Sequence, residues 1–206
     1  MWKFDEGTGS VVYDASGNGN HGSVSGTVWS DGKINKCLSF NGSARVTIPE
    51  TASIKTLYRE TGQWREWYYP PYPFPDDDLP NGKAITIEAF VKRTDNRWTA
   101  IMDKGGTAYS AGGWSLQLEG GKVHFGLSSD RAVSPWVNTE LIVTGKHVPL
   151  NEWTHIAATW SKADKTMRVY INGEQTSETA IYDSLIGPPS YPDYRPVIIG
   201  NKNHPD

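Results

Sequence analysis

Three groups of residues in this sequence have the types and spacing to do chemistry. The first is Asp14-Ala15-Ser16-Gly17-Asn18-Gly19-Asn20, which crowds carboxylate and amide oxygens among glycines that let backbone carbonyls turn inward. Ca2+ takes about six to eight oxygens of this kind, so Asp14, Asn18 and Asn20 are candidate ligands of a structural Ca2+. The same string also reads as a plain turn whose Asp and Asn side chains bond nearby amides. The second group is aromatic: Trp64, Trp67, Tyr68, Tyr69 and Tyr72, with Arg59, Gln63, Arg65 and Glu66 among them. A sugar ring stacks its flat C–H face on Trp or Tyr while polar side chains at the rim take its hydroxyls. Arg97-Trp98 and Trp136 repeat that combination in other loops and complete the ligand-binding candidates. The alternative is a cap whose rings pack on the protein itself, and such loops also suit protein recognition. The third group is carboxylates and His155. Retaining glycoside hydrolysis needs two carboxyls about 5 Å apart, and Glu88 stands alone in its strand. His155 reads as a structural residue and Asp76-Asp77-Asp78 as a solvated loop tip. No Ser-His-Asp set, phosphate loop or zinc spacing is present. The expectation is a protein that is not an enzyme.

The elements that position these groups are strands. Apolar and polar residues alternate in Ile85, Ile87, Ala89, Val91, in Trp114, Leu116, Leu118 and in Met167, Val169, Ile171, the period of a half-buried strand. Strands are predicted at 2–4, 11–13, 37–40, 44–48, 84–93, 99–103, 114–119, 122–127, 140–144, 153–161, 166–171 and 196–199. Asn172-Gly173, Gly120-Gly121 and Asn41-Gly42 read as two-residue hairpin turns, because both positions need φ > 0. No long helical period occurs, and residues 51–57 make at most one or two helical turns. Residues 58–80 carry two Trp, four Tyr, one Phe and five Pro with no strand period, a long loop or flap. A second Pro/Tyr stretch covers 187–194. The fold class is all-β, an antiparallel two-sheet jelly-roll sandwich, in a single domain over 1–206.

Composition narrows the partners. Nine Trp and ten Tyr against five Phe favour rings with a polar handle, which serve surfaces as well as cores. The net charge of −3 and the lack of basic blocks argue against nucleic acid. No run of 18 apolar residues occurs, so no membrane span is predicted, and no signal peptide is visible. The single cysteine, Cys37, excludes an intramolecular disulfide and reads as a small buried hydrophobe.

Five strings occur in a telling order. They are Trp2-Lys3-Phe4-Asp5-Glu6-Gly7-Thr8-Gly9 with Asp14 to Gly22; Leu38-Ser39-Phe40-Asn41-Gly42 with Val46 to Pro49; Ile85 to Val91; Trp153 to Trp160; and Val169 to Gly173. Together they resemble the laminin-G-like branch of the concanavalin A-like lectin/glucanase superfamily, which is related to pentraxins. The resemblance implies two curved antiparallel sheets in a jelly roll. It also implies a structural calcium site at the Asp14 loop, often completed by an acidic residue near the C-terminal strand. The glucan-cleaving members' Glu-x-Asp-x-x-Glu string is absent from the sequence, and no lyase-type set of Arg, Gln, His and Tyr is evident. Two departures stand out: the 58–80 insertion, and the lack of the usual closing strand after Gly200. A missing strand would expose a sheet edge to another chain. The functional expectation is a non-catalytic carbohydrate-binding or adhesion module of a larger exported protein, at an extracellular, cell-surface or periplasmic location. Its partner would be a glycan or polysaccharide, alongside neighbouring domains of its parent. The alternative is a protein-interaction or architectural domain; a glycoside hydrolase or polysaccharide lyase comes after both.

Overall fold

The computed structural model describes residues 1–51, 53–54, 84–104, 113–128, 141–161, 163–164, 166–180 and 196–200. Among them, fourteen strands form and no helix does. They are β1 (Val11–Val12), β2 (Gly22–Ser25), β3 (Val28–Asp31), β4 (Lys36–Ser39), β5 (Arg45–Ile48), β6 (Ala84–Val91) and β7 (Thr99–Lys104). Then come β8 (Gly113–Glu119), β9 (Lys122–Ser128), β10 (Leu141–His147), β11 (Thr154–Ser161), β12 (Thr166–Ile171), β13 (Glu174–Ala180) and β14 (Val197–Gly200). An eight-stranded sheet runs β1-β2-β5-β14-β7-β8-β9-β10, and a four-stranded sheet runs β13-β12-β11-β6. Strands β3 and β4 make a separate hairpin. All strand pairs are antiparallel.

The core lies between the two sheets because each presents one apolar face. From the smaller sheet come Ile87, Ile156, Ala158, Trp160, Met167 and Val169; from the larger come Val46, Ile48, Leu116, Val123, Phe125 and Val197. The period of two carries this: along β11 every second residue is buried and its neighbours are half-exposed. Each fully buried Ile, Leu, Met or Phe contributes about 1.5–3 kcal/mol relative to exposure. Hairpins fix the register. Gly120 and Gly121 (φ 55° and 83°) join β8 to β9, and Asn172 and Gly173 (φ 51° and 81°) join β12 to β13. Both turns have the two left-handed positions that match the strand twist.

The structure corrects several sequence expectations. Residues 2–4 do not form a strand: Trp2 makes one isolated bridge to Asp14, and Phe4 turns the chain at φ 58°. Asn41-Gly42 is not a hairpin, since β4 pairs with β3 while β5 pairs with β2 and β14. The Asn41 side chain instead accepts from Ser43 N, Ser43 Oγ and Ala44 N, a local turn that carries the chain from the hairpin into the large sheet. Strands β2 and β3 were not expected, because Gly, Ser and Asp interrupt their apolar pattern. Cys37 is only half-buried, with Sγ 3.1 Å from Ser30 Oγ. Trp114 and Trp160 are buried in the core, while Trp2 and Trp153 are half-buried. Within 51–57 the described residues form a single turn, in which Ile54 N donates to Thr51 O at 3.0 Å.

Candidate functional site

The loop that carries Arg97 and Trp98 is held by Arg93. Its Nε donates to Val148 O, and its Nη1 donates to Asp95 O at 3.0 Å and to Asn96 Oδ1 at 2.5 Å. Asn151 N donates back to Arg93 O at 2.8 Å, so the loop is pinned to the 148–151 segment from both sides. Asp95 then turns the loop: its carboxylate accepts from Arg97 N at 2.9 Å and from Arg97 Nε at 2.7 Å. The hydrogen bond from the Arg97 side chain, then that from its backbone N–H, hold the Asp95 carboxyl below the usual carboxylate range. The same pairing raises Arg97 further. Arg97 is exposed and lies beside Gly42, where an added Cβ would sit 3.4 Å from its Nη1. Trp98, half-buried, leads directly into β7.

Behind this loop the eight-stranded sheet turns a polar face away from the core. Trp114, Leu116 and Leu118 of β8 point into the core, so the interleaved Ser115 and Gln117 point the other way. Register extends these into rows: Asp103, Ser115 and Gly126 stand side by side, as do Ala100, Gln117 and His124. Gln117 Nε2 donates to Ser115 Oγ at 2.6 Å, and His124 Nε2 lies 3.6 Å from Glu119 Oε2. Burial pushes the His124 imidazole below its ordinary value, outweighing the raising effect of the Glu119 carboxylate, so it is neutral at pH 7. Ser115 and Gln117 are buried; His124 and Lys122 are half-buried and Glu119 is exposed, so the face opens toward its Glu119 end. That is also the loop's end, since Thr99 pairs with Leu118. Trp98 thus leads into β7 at the end of the sheet where Glu119, Lys122 and His124 reach the surface, with the Arg97 guanidinium beside Gly42.

Of the sequence candidates, Arg97 and Trp98 lie at this end of the sheet. Trp64, Trp67, Tyr68, Tyr69, Tyr72 and Trp136 lie outside the described residues. Asp14, Asn18 and Asn20 are at the opposite end of the sheet, near the Trp114 end of β8. Five residues of strand, about 17 Å, separate the two ends. Asp14 is buried, and both its oxygens face donors: Oδ1 accepts from the Met1 amino group at 2.8 Å and Ser16 N at 2.9 Å; Oδ2 accepts from Ser16 Oγ at 2.7 Å and Asn20 N at 3.1 Å. Asn20 Oδ1 accepts from Thr51 Oγ1 and Ser53 Oγ, and Asn18 Nδ2 donates to Ser16 Oγ at 3.1 Å. N–H and O–H groups already occupy the Asp14 and Asn20 side-chain oxygens that a cation would need. This donor set does not fit Ca2+; it fits the turn reading. Among the described residues, no three His, Cys, Asp or Glu side chains gather where they could hold an ion.

Residues 69–206 match the laminin G model of the Concanavalin A-like lectin/glucanases superfamily. The chain belongs to that superfamily. Solved structures share its fold. The binding domain of botulinum neurotoxin DC in complex with SialylT superposes at TM-score 0.60 and 15% identity, over 98% of this chain and 43% of that one. Botulinum neurotoxin type C, whose cell entry is dependent upon interaction with two ganglioside molecules, superposes at 0.57 and 15% identity, over 97% of this chain and 42% of that one. The Ruminococcus gnavus IT-sialidase CBM40 bound to alpha2,3 sialyllactose matches at 0.44 and 14% identity, over 56% of this chain and 61% of that one. This chain therefore spans less than two thirds of those chains' lengths. No curated protein matches it.

Sequence reasoning missed Gln117, His124 and Glu119 on this superfamily member. The signal was there: Trp114, Leu116 and Leu118 announce a core face, and Ser115 and Gln117 are what remains. Only the register puts His124 beside Gln117, and register is set by the Gly120-Gly121 turn.

Proposed function

We propose that this chain is a non-catalytic carbohydrate-binding module of a larger exported protein. The observation that carries the reading is the surface at the Glu119 end of the eight-stranded sheet. It sets Trp98 for a sugar's C–H face and Arg97, His124 and Glu119 for its hydroxyls, at the end of the sheet where Arg93 pins the preceding loop. Trp64, Trp67, Tyr68, Tyr69, Tyr72 and Trp136 are proposed to extend it. The botulinum neurotoxin structures, one in complex with SialylT and one of a toxin whose cell entry depends on two ganglioside molecules, support a saccharide as the ligand class.

A glycan array followed by calorimetry tests this. Binding to an oligosaccharide, weakened at least tenfold by Trp98→Ala with the fold intact, is the expected result. An array without a hit, or binding indifferent to Trp98, Trp64 and Trp67, overturns it. An architectural role has its own support: Val28 and Ile34 of the β3–β4 hairpin are 66% and 68% exposed, an apolar surface suited to a neighbouring domain. Protection of that hairpin from hydrogen exchange in the parent protein, with no glycan bound, would favour it.

A further inference from the structure

The outer face of the four-stranded sheet is the second place in the molecule where aromatic and hydroxyl-matching groups converge. It shares no residue with the surface at the Glu119 end of the larger sheet. Three rows can be read across it from register. Phe90 pairs with His155; Glu88, Ala157, Tyr170 and Gln175 follow one another; Thr86, Thr159, Arg168 and Glu178 make the third row. All project away from the core, since their neighbours Ile87, Ile156, Ala158, Met167 and Val169 are buried in it.

Ala157 is the low point. Adjacent strands are about 4.8 Å apart, so Glu88 and Tyr170 stand about 10 Å apart with only a methyl group between them. That gap admits one pyranose ring with van der Waals clearance on both sides. Both walls are braced. His155 packs against Phe90 with ring centroids 5.0 Å apart, and its Nε2 lies 3.3 Å from Glu88 Oε2. Arg168 donates through Nε to Glu178 Oε2 at 2.5 Å, beside Tyr170. Phe90, next to last in β6, is half exposed on this outer face, where a polar residue would be expected. Bracing of this kind lowers the ordering cost of binding. Three carboxylates in and beside these rows, Glu88, Glu178 and Asp164, stand against the one guanidinium of Arg168, which disfavours an anionic sugar.

We propose that the slot over Ala157, between Glu88 and Tyr170, is a second glycan site that takes a neutral pyranose. The ring lies over the Ala157 methyl, Tyr170 and Phe90 supply apolar contact, and the Glu88 carboxylate accepts sugar hydroxyls. The proposal goes beyond the function argued above and does not depend on it, because the two sites occupy different sheets.

The test is a heteronuclear NMR titration of the whole chain with cellobiose, lactose and chitobiose, and with 3′-sialyllactose as the anionic counterpart. The expected result is millimolar binding of at least one neutral disaccharide, with amide shifts confined to residues 86–90, 155–159 and 168–170. 3′-Sialyllactose should be bound at least threefold more weakly there. Ala157→Arg, which fills the slot, should weaken binding at least tenfold. Tyr170→Ala should do so too, so a folding failure of either variant leaves the other. Trp98→Ala should leave these shifts unchanged while abolishing those at the Glu119 end, which separates failure of this site from failure of the other. Three results would overturn the proposal: no shifts in these rows with any neutral sugar, binding indifferent to both variants, or the same shifts on raising protein concentration without sugar, which would make the face a self-association surface.

Discussion

Replacing Asp14 by Ala should be among the most damaging single changes in the chain. Its carboxylate is fully buried and accepts four hydrogen bonds between 2.7 and 3.1 Å, from Met1, Ser16 (twice) and Asn20. Hydrogen bonds to a charged group contribute about 1.5–3 kcal/mol each, less than additively. Removing one partner of a buried charged set costs about 3–5 kcal/mol, and that is the expected loss for Asp14→Ala. Asp14→Asn keeps one oxygen but sets an NH2 group against an N–H or ammonium donor, so about 2 kcal/mol is expected. Urea denaturation measures both, as a fall in midpoint at unchanged slope. Burial by itself would raise this carboxyl, but the hydrogen bonds from Met1, Ser16 and Asn20 prevail and hold it far below its ordinary range. The folded pKa is thus lower than the unfolded one. The carboxylate's contribution is complete above the unfolded value of 3.8 and is lost as pH falls below that toward the folded value. The acid limb of the stability profile should therefore be shallower in Asp14→Asn than in the parent. A calcium chelator should leave the midpoint where it was. The reasoning fails if Asp14→Ala costs no more than an ordinary surface change, about 0.5 kcal/mol. It also fails if the chelator lowers stability as far as the mutation does, which would make Asp14 a cation ligand.

Arg93→Ala should cost about 2–3 kcal/mol by unpinning the loop at residues 93–98, and should weaken glycan binding by more than its effect on the fold explains; equal binding in both proteins would remove Arg93 from the positioning of Trp98. His124 should titrate below 6.5 by imidazole NMR shifts, because the folded protein resists its protonation; its neutral-state contribution is complete above the unfolded value and lost as pH falls through that window. Gly22→Ala should destabilise by about 1–3 kcal/mol in thermal melts, since the new Cβ would meet Val46 Cγ1 at 2.7 Å and Val12 Cγ2 at 2.8 Å inside the core. Gly173→Ala should cost about 1 kcal/mol, because its φ of 81° is strained for any Cβ while nothing crowds the site.

The fold was readable wherever alternation ran uninterrupted. Strands β6, β8, β11 and β12 declare themselves through Ile85 to Val91, Trp114 to Leu118, Ile156 to Trp160 and Met167 to Ile171, and these supply half the core. Turn chemistry was readable in part. Asn172-Gly173 and Gly120-Gly121 close hairpins, yet Asn41-Gly42, with the same local preference, does not. A turn dipeptide fixes two backbone angles and not the destination of the chain. Strand β4 had already found β3, whose Val28-Trp29-Ser30-Asp31 is too polar to be read as a strand alone. Pairing over long sequence distance decided the outcome, and no local signal reports it.

The candidate sites show the same limit from the other side. Residue type identified Arg97 and Trp98, because an aromatic beside a guanidinium in a loop is a local signal. It also singled out Asp14, Asn18 and Asn20, and there the side-chain oxygens of Asp14 and Asn20 proved to be spent on Met1, Ser16, Asn20, Thr51 and Ser53. Two of those partners lie more than thirty residues away. What separates a cation cage from a hydrogen-bonded turn is whether the lone pairs are free. That depends on which distant hydroxyls the fold delivers. The slot over Ala157 is the converse case: Glu88, Ala157 and Tyr170 are ordinary residues on three different strands, and only their shared row makes a place for a ligand. In a sandwich such as this one, sequence specifies which face a side chain takes, while register specifies its neighbours. Binding chemistry is a property of neighbours.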